Sequence, residues 1–342
     1  MSTAAATDRV VVVGGGMGGL AAAIALGAAG QQVVLLERGA DVGGKVGEVV
    51  VDGVACDTGP SVLTLPDIVD GVLQRAGMSV AAHLPLVSPS PAFSYRFGNG
   101  RVVDIHVDTP ATIDSVRAAL GDTAADELRA FLRYAQGIWD TSKDDFVFGS
   151  APGPTTLLRL AMTRPRDMLK VDPLHSMRGA ITARITSPEL RAILLRYATY
   201  NGSDPTTAPA TLNCIAWVEL GLGGYGVVGG MGALRTALRT ACARVGVEVR
   251  TGVDVGRVVV EGGRVVGVEV GAERIAATRV VVNADVGWLR TQPGLARALP
   301  PAPSTLSMSG ATMIVKARRR ADRVAHEVVF PDGDYLDEFA DI

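Results

Sequence analysis

Two apolar runs with a glycine-spaced turn between them limit this chain to very few folds. Val10 to Val13 is β-branched throughout and reads as a parallel strand buried on both faces. Gly14, Gly16 and Gly19 follow with G-x-G-x-x-G spacing. Leu20 to Ala29 is apolar and rich in helix formers, and Gly30 stands at its C-terminal cap. Val33 to Leu36 is a second strand and ends on Glu37, 23 residues after Gly14. The order strand, glycine turn, helix, strand, acid is that of a dinucleotide-binding βαβ unit. One glycine makes the turn, one lets the backbone approach a pyrophosphate, and one lets helix and strand pack closely. The helix N-terminus offers free N–H groups to the phosphates, and a carboxylate at Glu37 accepts from ribose hydroxyls. The alternative is a glycine-rich turn with no ligand.

This unit alone leaves the choice between NAD and FAD open. An NAD dehydrogenase continues with a further helix and parallel strand. Here the chain continues with the Gly43-Gly44-Lys45 doublet, an Asp52-Gly53 hairpin turn between two valine-containing runs, and Asp57-Thr58-Gly59-Pro60. Gly39 to Lys45 also fits the start of a P-loop, but Val46 stands where the Mg²⁺-binding hydroxyl would be, which argues against a triphosphate site.

These stretches, with "RYATYNGSDP" (196–205), "GGYGVVGGMGALRTAL" (223–238), "VVVNADV" (280–286) and "HEVVFPDGDYLDEFADI" (326–342), resemble the glycine-doublet flavoproteins, and within them the phytoene-desaturase-type carotenoid desaturases. "GGK" and "RYATY" are most similar to the branch that desaturates 1-hydroxy or 1-methoxy carotenoids at the 3,4 position. The resemblance runs along essentially the whole chain. It implies an α/β fold: a Rossmann-like FAD-binding domain of the glycine-doublet type with an inserted, mixed α+β substrate domain. It implies FAD as cofactor, with Gly14, Gly15, Gly16, Met17, Gly18, Gly19, Glu37, Arg38, Gly44, Lys45, Thr58, Gly59, Pro60, Ser61 and Val255 around it, Val255 near the adenine. The implied reaction is loss of a hydride to the flavin and of a proton from the neighbouring carbon.

The implied organisation is a first FAD-binding part over 1–88, a substrate or cap domain over 89–225, a returning FAD-binding part over 226–288, and the start of a substrate-domain sheet over 289–342. In the cap region the pattern gives a hairpin around Asn99-Gly100, helices over "TPATIDSVRAALG" and "DTAADELRAFLRYAQGIWDTS", and one over "PELRAILLRYATY". Short strands with a Gly262-Gly263 turn follow, then a buried strand, "RVVVNAD". Family members continue past this chain's last residue with a second glycine-rich segment that closes over the flavin. The resemblance therefore implies a C-terminally truncated chain, and no turnover by these 342 residues alone.

For a proton acceptor the resemblance points to Asp167, in "RPRDMLK". Its neighbours Arg164, Arg166 and Lys170 give the alternative of a surface ion pair. Asp140 and Glu219 are further acids without a motif. Thr155 to Lys170 carries four cations, one acid and several apolar residues, a pattern that suits either a membrane interface or an ordinary helix pair broken at Pro165. No apolar run is long enough for a transmembrane helix, and no basic n-region with an apolar core marks a signal peptide. The expected location is cytoplasmic, peripherally attached to a membrane that holds a carotenoid substrate.

Composition removes other classes. Charged residues are 20% and the formal charge is −2, which favours neither disorder nor nucleic acid. Cys56, Cys214 and Cys242 form no C-x-x-C and read as reduced core thiols, and the four histidines lack metal-ligand spacing, so no metal is expected. Two other readings stay open: an amine or porphyrinogen oxidase on the same scaffold, and a flavin-binding fragment without activity.

Overall fold

The computed structural model describes residues 8–149, 155, 160, 162–302, 306–316 and 326–340. The chain begins with β1 (Arg9–Val13), α1 (Met17–Ala28), β2 (Gln32–Glu37), the β3–β4 hairpin (Glu48–Val51, Val54–Asp57), β5 (Leu63–Thr64), α2 (Pro66–Gln74), α3 (Val80–His83) and β6 (Leu86–Val87). There follow β7 (Phe93–Phe97), β8 (Val102–Ile105), α4 (Thr109–Leu120), α5 (Asp122–Ser142), α6 (Pro165–Lys170), α7 (Met177–Thr182), α8 (Pro188–Leu195), α9 (Cys214–Leu220) and β9 (Gly224–Val227). Then come α10 (Met231–Arg244), β10 (Glu248–Thr251), β11 (Arg257–Glu261), β12 (Arg264–Val270), β13 (Glu273–Ala276), β14 (Arg279–Val282) and α11 (Val286–Arg290). β15 (Glu327–Phe330) and α12 (Asp337–Ala340) end the described chain. These elements form two compact units, Met1–Val87 with Gly226–Ser304, and Ser88–Tyr225 with Thr305–Ile342.

The first unit is built on a parallel sheet in the order β10-β2-β1-β14. Its central strands are covered on both faces, which is why β1 reads as unbroken valine rather than as an alternation. Val10, Val12, Val33 and Leu35 pack against Leu20, Ala23 and Ile24 of α1 and Leu234, Leu238 and Ala241 of α10. The opposite face, with Val11, Val13, Val34 and Leu36, packs against Val268 and Ile275 of the antiparallel β11-β12-β13 meander. Each fully buried Leu or Ile here contributes about 1.5–3 kcal/mol. α1 is rich in alanine and glycine because it lies close to its neighbours: a side chain at Gly27 would meet Val245 at 2.8 Å. The helix also begins three residues before the expected Leu20, at Met17, so that Gly18 and Gly19 fall in its first turn.

Asp52-Gly53 and Gly262-Gly263 turn their hairpins with positive φ at both central residues, the twist that suits a two-residue connection. The strand "RVVVNAD" differs from expectation. β14 is the edge of the sheet and its valines are only half-buried. Residues 289–302, grouped by sequence with the C-terminal section, belong to this unit: Trp288 packs on the meander side of the sheet, and the Gln292 side chain accepts from the Val258 N–H at 3.1 Å.

The second unit pairs a three-stranded sheet, β15-β7-β8, with helices. β15 runs parallel to β7 and adds Phe330, which stacks on Tyr95 and Phe97 with ring centroids 5.8 and 5.2 Å away. α5 buries Leu128, Phe131, Leu132, Ala135, Ile138 and Trp139, the helical spacing that its sequence shows. The helix expected over "PELRAILLRYATY" stops at Leu195. Arg196–Asn201 tightens into a 3₁₀ turn, ended by Gly202 at φ +69. A side chain at Gly202 would meet Ser307 and Met308, so the tighter turn and the close approach of that segment go together.

Candidate cofactor site

The glycine turn sits at the carboxyl end of β1. Gly14 takes φ +96 and donates to the Leu36 carbonyl at 2.8 Å; a side chain there would stand 2.6 Å from the Asn283 carbonyl oxygen. At Gly19 a side chain would collide with the Gly14 carbonyl, so strand and helix start closer together than any larger residue allows. Gly16 is the N-cap of α1. No side chain caps the helix and its first turn holds no acid, so its first N–H groups and the positive end of its dipole face outward.

Three other segments close on this turn. Glu37, at the end of β2, accepts from the Gly15 N–H at 2.6 Å with one oxygen and from the Gly39 N–H at 2.7 Å with the other. Each oxygen keeps a second lone pair for a hydroxyl. Gly43 donates to the Gly15 carbonyl at 2.8 Å, and a side chain at Gly44, φ +59, would meet the Gly16 Cα at 3.1 Å. The Gly43-Gly44 doublet is thus a second backbone layer laid on the first. Thr58 donates to the Gly47 carbonyl at 3.0 Å, and a side chain at Gly59 would collide with the Lys45 carbonyl. Asp57 anchors this layer to α10 by accepting from the Met231 N–H at 2.9 Å.

Most of the residues singled out by sequence therefore converge here. Gly14, Gly15, Gly16, Gly18 and Gly19 form the turn and Glu37 closes it, with Gly44 and Lys45 on the neighbouring layer. Thr58 and Gly59 brace that layer, and Arg38, Lys45, Pro60 and Ser61 are exposed beside it. Met17 is half-buried against the core. Val255, 5% exposed, packs among the sheet-core valines, two residues after Val253, whose N–H donates to the Glu37 carbonyl at 2.9 Å. Sequence reasoning missed Asn283, whose backbone N–H donates to the Val13 carbonyl at 2.7 Å and whose side chain lies against the turn. A lone polar residue ending an apolar strand was the signal that could have found it.

The arrangement fits a dinucleotide. Glycine leaves open a space that side chains would fill, the helix N-terminus is uncapped, and an acceptor closes one side. The chain matches the family described as flavin-containing amine oxidoreductase over residues 17–335. The chain belongs to that family. Its cofactor is FAD. The chain is 33% identical to a hydroxyneurosporene desaturase of Rubrivivax gelatinosus over 98% of its own length and 65% of the relative's. It is 34% identical to the hydroxyneurosporene desaturase of Rhodobacter capsulatus over 82% of its own length and 57% of the relative's. It thus spans less than two thirds of either. An oxidoreductase from Methanosarcina mazei shares the fold with a TM-score of 0.58 at 17% identity, covering 85% of this chain and 62% of that one.

The acids of the second unit differ sharply. Asp167 pairs with Lys170 at 3.1 Å and Asp140 with Lys143 at 3.5 Å, both at the surface. Glu219 is 3% exposed and accepts from the Tyr197 hydroxyl at 2.9 Å, while its other oxygen has no partner. Burial pushes the Glu219 carboxyl above its usual range, against the pull of the Tyr197 hydrogen bond and the Arg196 charge. Within Thr155 to Lys170, residues 156–159 and 161 lie outside the described residues, Leu157, Leu158 and Arg159 among them. Cys242 is buried and its thiol is pushed up to about 11, whereas Cys56 and Cys214 are only half-buried rather than core thiols. Among the described residues no group of three or more His, Cys, Asp or Glu side chains could hold a metal ion.

Two substitutions separate the roles of the turn glycines. Gly19→Ala is expected to lower the stability of the ligand-free protein by roughly 1–3 kcal/mol or more, since backbone atoms must move. Gly16 has ordinary φ, and a Cβ there meets only the Asn283 amide, at 3.2 Å, so Gly16→Val strains no backbone. It is expected to keep the ligand-free unfolding midpoint and to lose the flavin absorbance on purification. Full flavin occupancy in Gly16→Val would show that this turn is not the site.

Glu219 yields a pH prediction. Its folded pKa lies above the ordinary 4.5, so the folded state holds this proton more tightly than the unfolded chain does. The resulting stability is full below pH 4.5 and is lost as pH rises through the folded value. Glu219→Gln keeps an acceptor for Tyr197 and stays neutral. Urea unfolding at several pH values is expected to show the variant gaining on wild type as pH rises above 4.5. A pH-independent difference would mean that Glu219 titrates normally.

Proposed function

We propose that this chain belongs to an FAD-dependent carotenoid desaturase that introduces the 3,4 double bond of a 1-hydroxy or 1-methoxy carotenoid. The observation that carries the reading is 33% identity, along 98% of the chain, to a relative named as a hydroxyneurosporene desaturase. FAD, when bound, supplies the hydride acceptor, so the protein's share is binding, orientation and the exclusion of water. The first-turn N–H groups of α1 hold the pyrophosphate, Glu37 accepts from the ribose, and the Gly43-Gly44 layer with exposed Lys45 flanks the cofactor. In the second unit a cavity of about 650 Å³ is lined by Phe97, Leu195, Phe330 and Leu336 together with charged residues, Arg178, Arg191, Glu189, Asp332, Asp334, Asp337 and Glu338 among them. For the proton, the resemblance names Asp167, although its pairing with Lys170 ties it to the surface.

The test uses cells that accumulate a hydroxylated carotene. The chain is expressed there alone and, separately, extended by the C-terminal section of the Rubrivivax relative. A purified protein with a flavin spectrum, and pigment absorbing at longer wavelength from at least one form, is the expected result. Unchanged pigment from both flavin-loaded forms, together with oxidation of an amine, would assign the site to amine oxidation.

We also infer peripheral attachment to a membrane through the surface around α6. Met162, Leu169 and Leu174 are 70%, 74% and 87% exposed, and Arg164, Arg166 and Lys170 lie among them. No helix of the described residues is long and apolar enough to cross a membrane. A basic, apolar surface binds anionic lipid by burial and charge together, and salt weakens it. Arg166→Glu with Lys170→Glu is expected to reduce sedimentation with anionic vesicles. Equal sedimentation of the double variant and wild type would remove this surface from consideration.

A further inference from the structure

The sheet order β10-β2-β1-β14 contains a reversal. The chain leaves β1 through α1 and returns as β2 on one side, while β14 closes the other side. Ligands of open α/β sheets lie in the crevice beyond the carboxyl ends of the two strands where the order reverses. Here those strands are β1 and β14, and Asn283 is the first residue beyond β14. The Asn283 carboxamide lies along the first turn of α1. Its Nδ2 is 3.2 Å from where a Gly16 side chain would begin and 3.1 Å from the same point at Gly19; its Oδ1 is 2.7 Å from that point at Gly18. The residue is exposed, and among the described residues its carboxamide has no hydrogen-bond partner.

We propose that Asn283 is a binding residue for the dinucleotide, with its Nδ2–H donating to a pyrophosphate oxygen held at the N-terminus of α1. The inference rests on the assignment of this turn to FAD. Glu37 puts an acceptor at the end of β2, where hydroxyls need one. Asn283 puts a neutral donor at the end of β14, beside the uncapped first turn. Between them the first turn of α1 has no side-chain cap and no acid, which leaves its N–H groups free to donate. Donors therefore gather where the phosphates belong and the acceptor stands where the ribose belongs. An aspartate at 283 would remove the donor and add a negative charge facing the pyrophosphate.

The chain, stripped of flavin, is titrated with FAD by fluorescence quenching and with ADP and adenosine by calorimetry. Asn283→Asp is expected to weaken FAD and ADP by at least about ten-fold each, Asn283→Ala by less, and adenosine by neither. Asn283→Ser keeps a hydroxyl donor and is expected to bind closer to wild type than Asn283→Ala does. Ligand-free unfolding midpoints are measured beside each titration. Equal losses for adenosine and ADP, or losses matched by a lower ligand-free midpoint, would make Asn283 a structural spacer and overturn the proposal. Tighter binding by Asn283→Ala would make it a plug and overturn it too. If Asn283→Asp does not fold, the Ser and Ala variants carry the same test. Wild type that binds neither FAD nor ADP would instead bring down the assignment of the turn itself.

Discussion

At Gly19 the first turn of α1 lies against the Gly14 carbonyl with no room for a side chain, and the architecture of the first unit follows from that approach. It brings a helix N-terminus to the ends of the sheet strands, where its unpaired donors converge on one point. It leaves the turn so shallow that Glu37 can reach across to the Gly15 N–H and a second glycine layer can lie on top. Glycine is required at this position by distance. The same distance explains why burial alone could not have built the site. Apolar packing of α1 on β1 and β2 supplies the stability, but the position along the strand axis at which the helix begins is set by what cannot fit.

The part of the fold that reads directly from sequence is the part whose partners are close in sequence. β1, α1 and β2 are neighbours, and their periods and caps agree with one another. The hairpins at Asp52-Gly53 and Gly262-Gly263 need only two residues to declare themselves. Where partners are remote, the pattern was silent or misleading. β14 has the composition of a buried strand but lies at an edge, because valine runs do not say how many neighbours a strand has. α8 looked four residues or more longer because Arg196–Asn201 keeps a helical apolar spacing, while the segment that packs on Gly202 lies a hundred residues away. The Asp57–Met231 cap spans 174 positions, and Asn283 meets a turn that precedes it by more than 260.

The candidate site divides in the same way. Its backbone was legible, since glycine spacing reports backbone geometry. Its side-chain chemistry was less so. Asp167 was singled out from a short run of charge and resemblance, and it is an exposed ion-pair partner. Glu219 has no motif around it, yet among the described acids it is the most buried, with one oxygen on Tyr197 and the other unpaired. Glu219, in α9, keeps one buried oxygen without a partner, and α9 packs against α5. Natural interiors seldom leave such atoms unmatched unless water, strain or chemistry accounts for them.

The discontinuity of the first unit has a consequence for the order in which the protein forms. β14, the neighbour of β1, is made some 270 residues after it, with residues 88–225 of the second unit synthesised in between. At about 5–20 residues per second, one edge of the central strand stays unpaired for on the order of tens of seconds. During that interval the second unit, whose segment 88–225 is continuous, can close most of its own contacts. The glycine turn thus becomes a finished surface only when Asn283, made more than 260 residues later, arrives to border it.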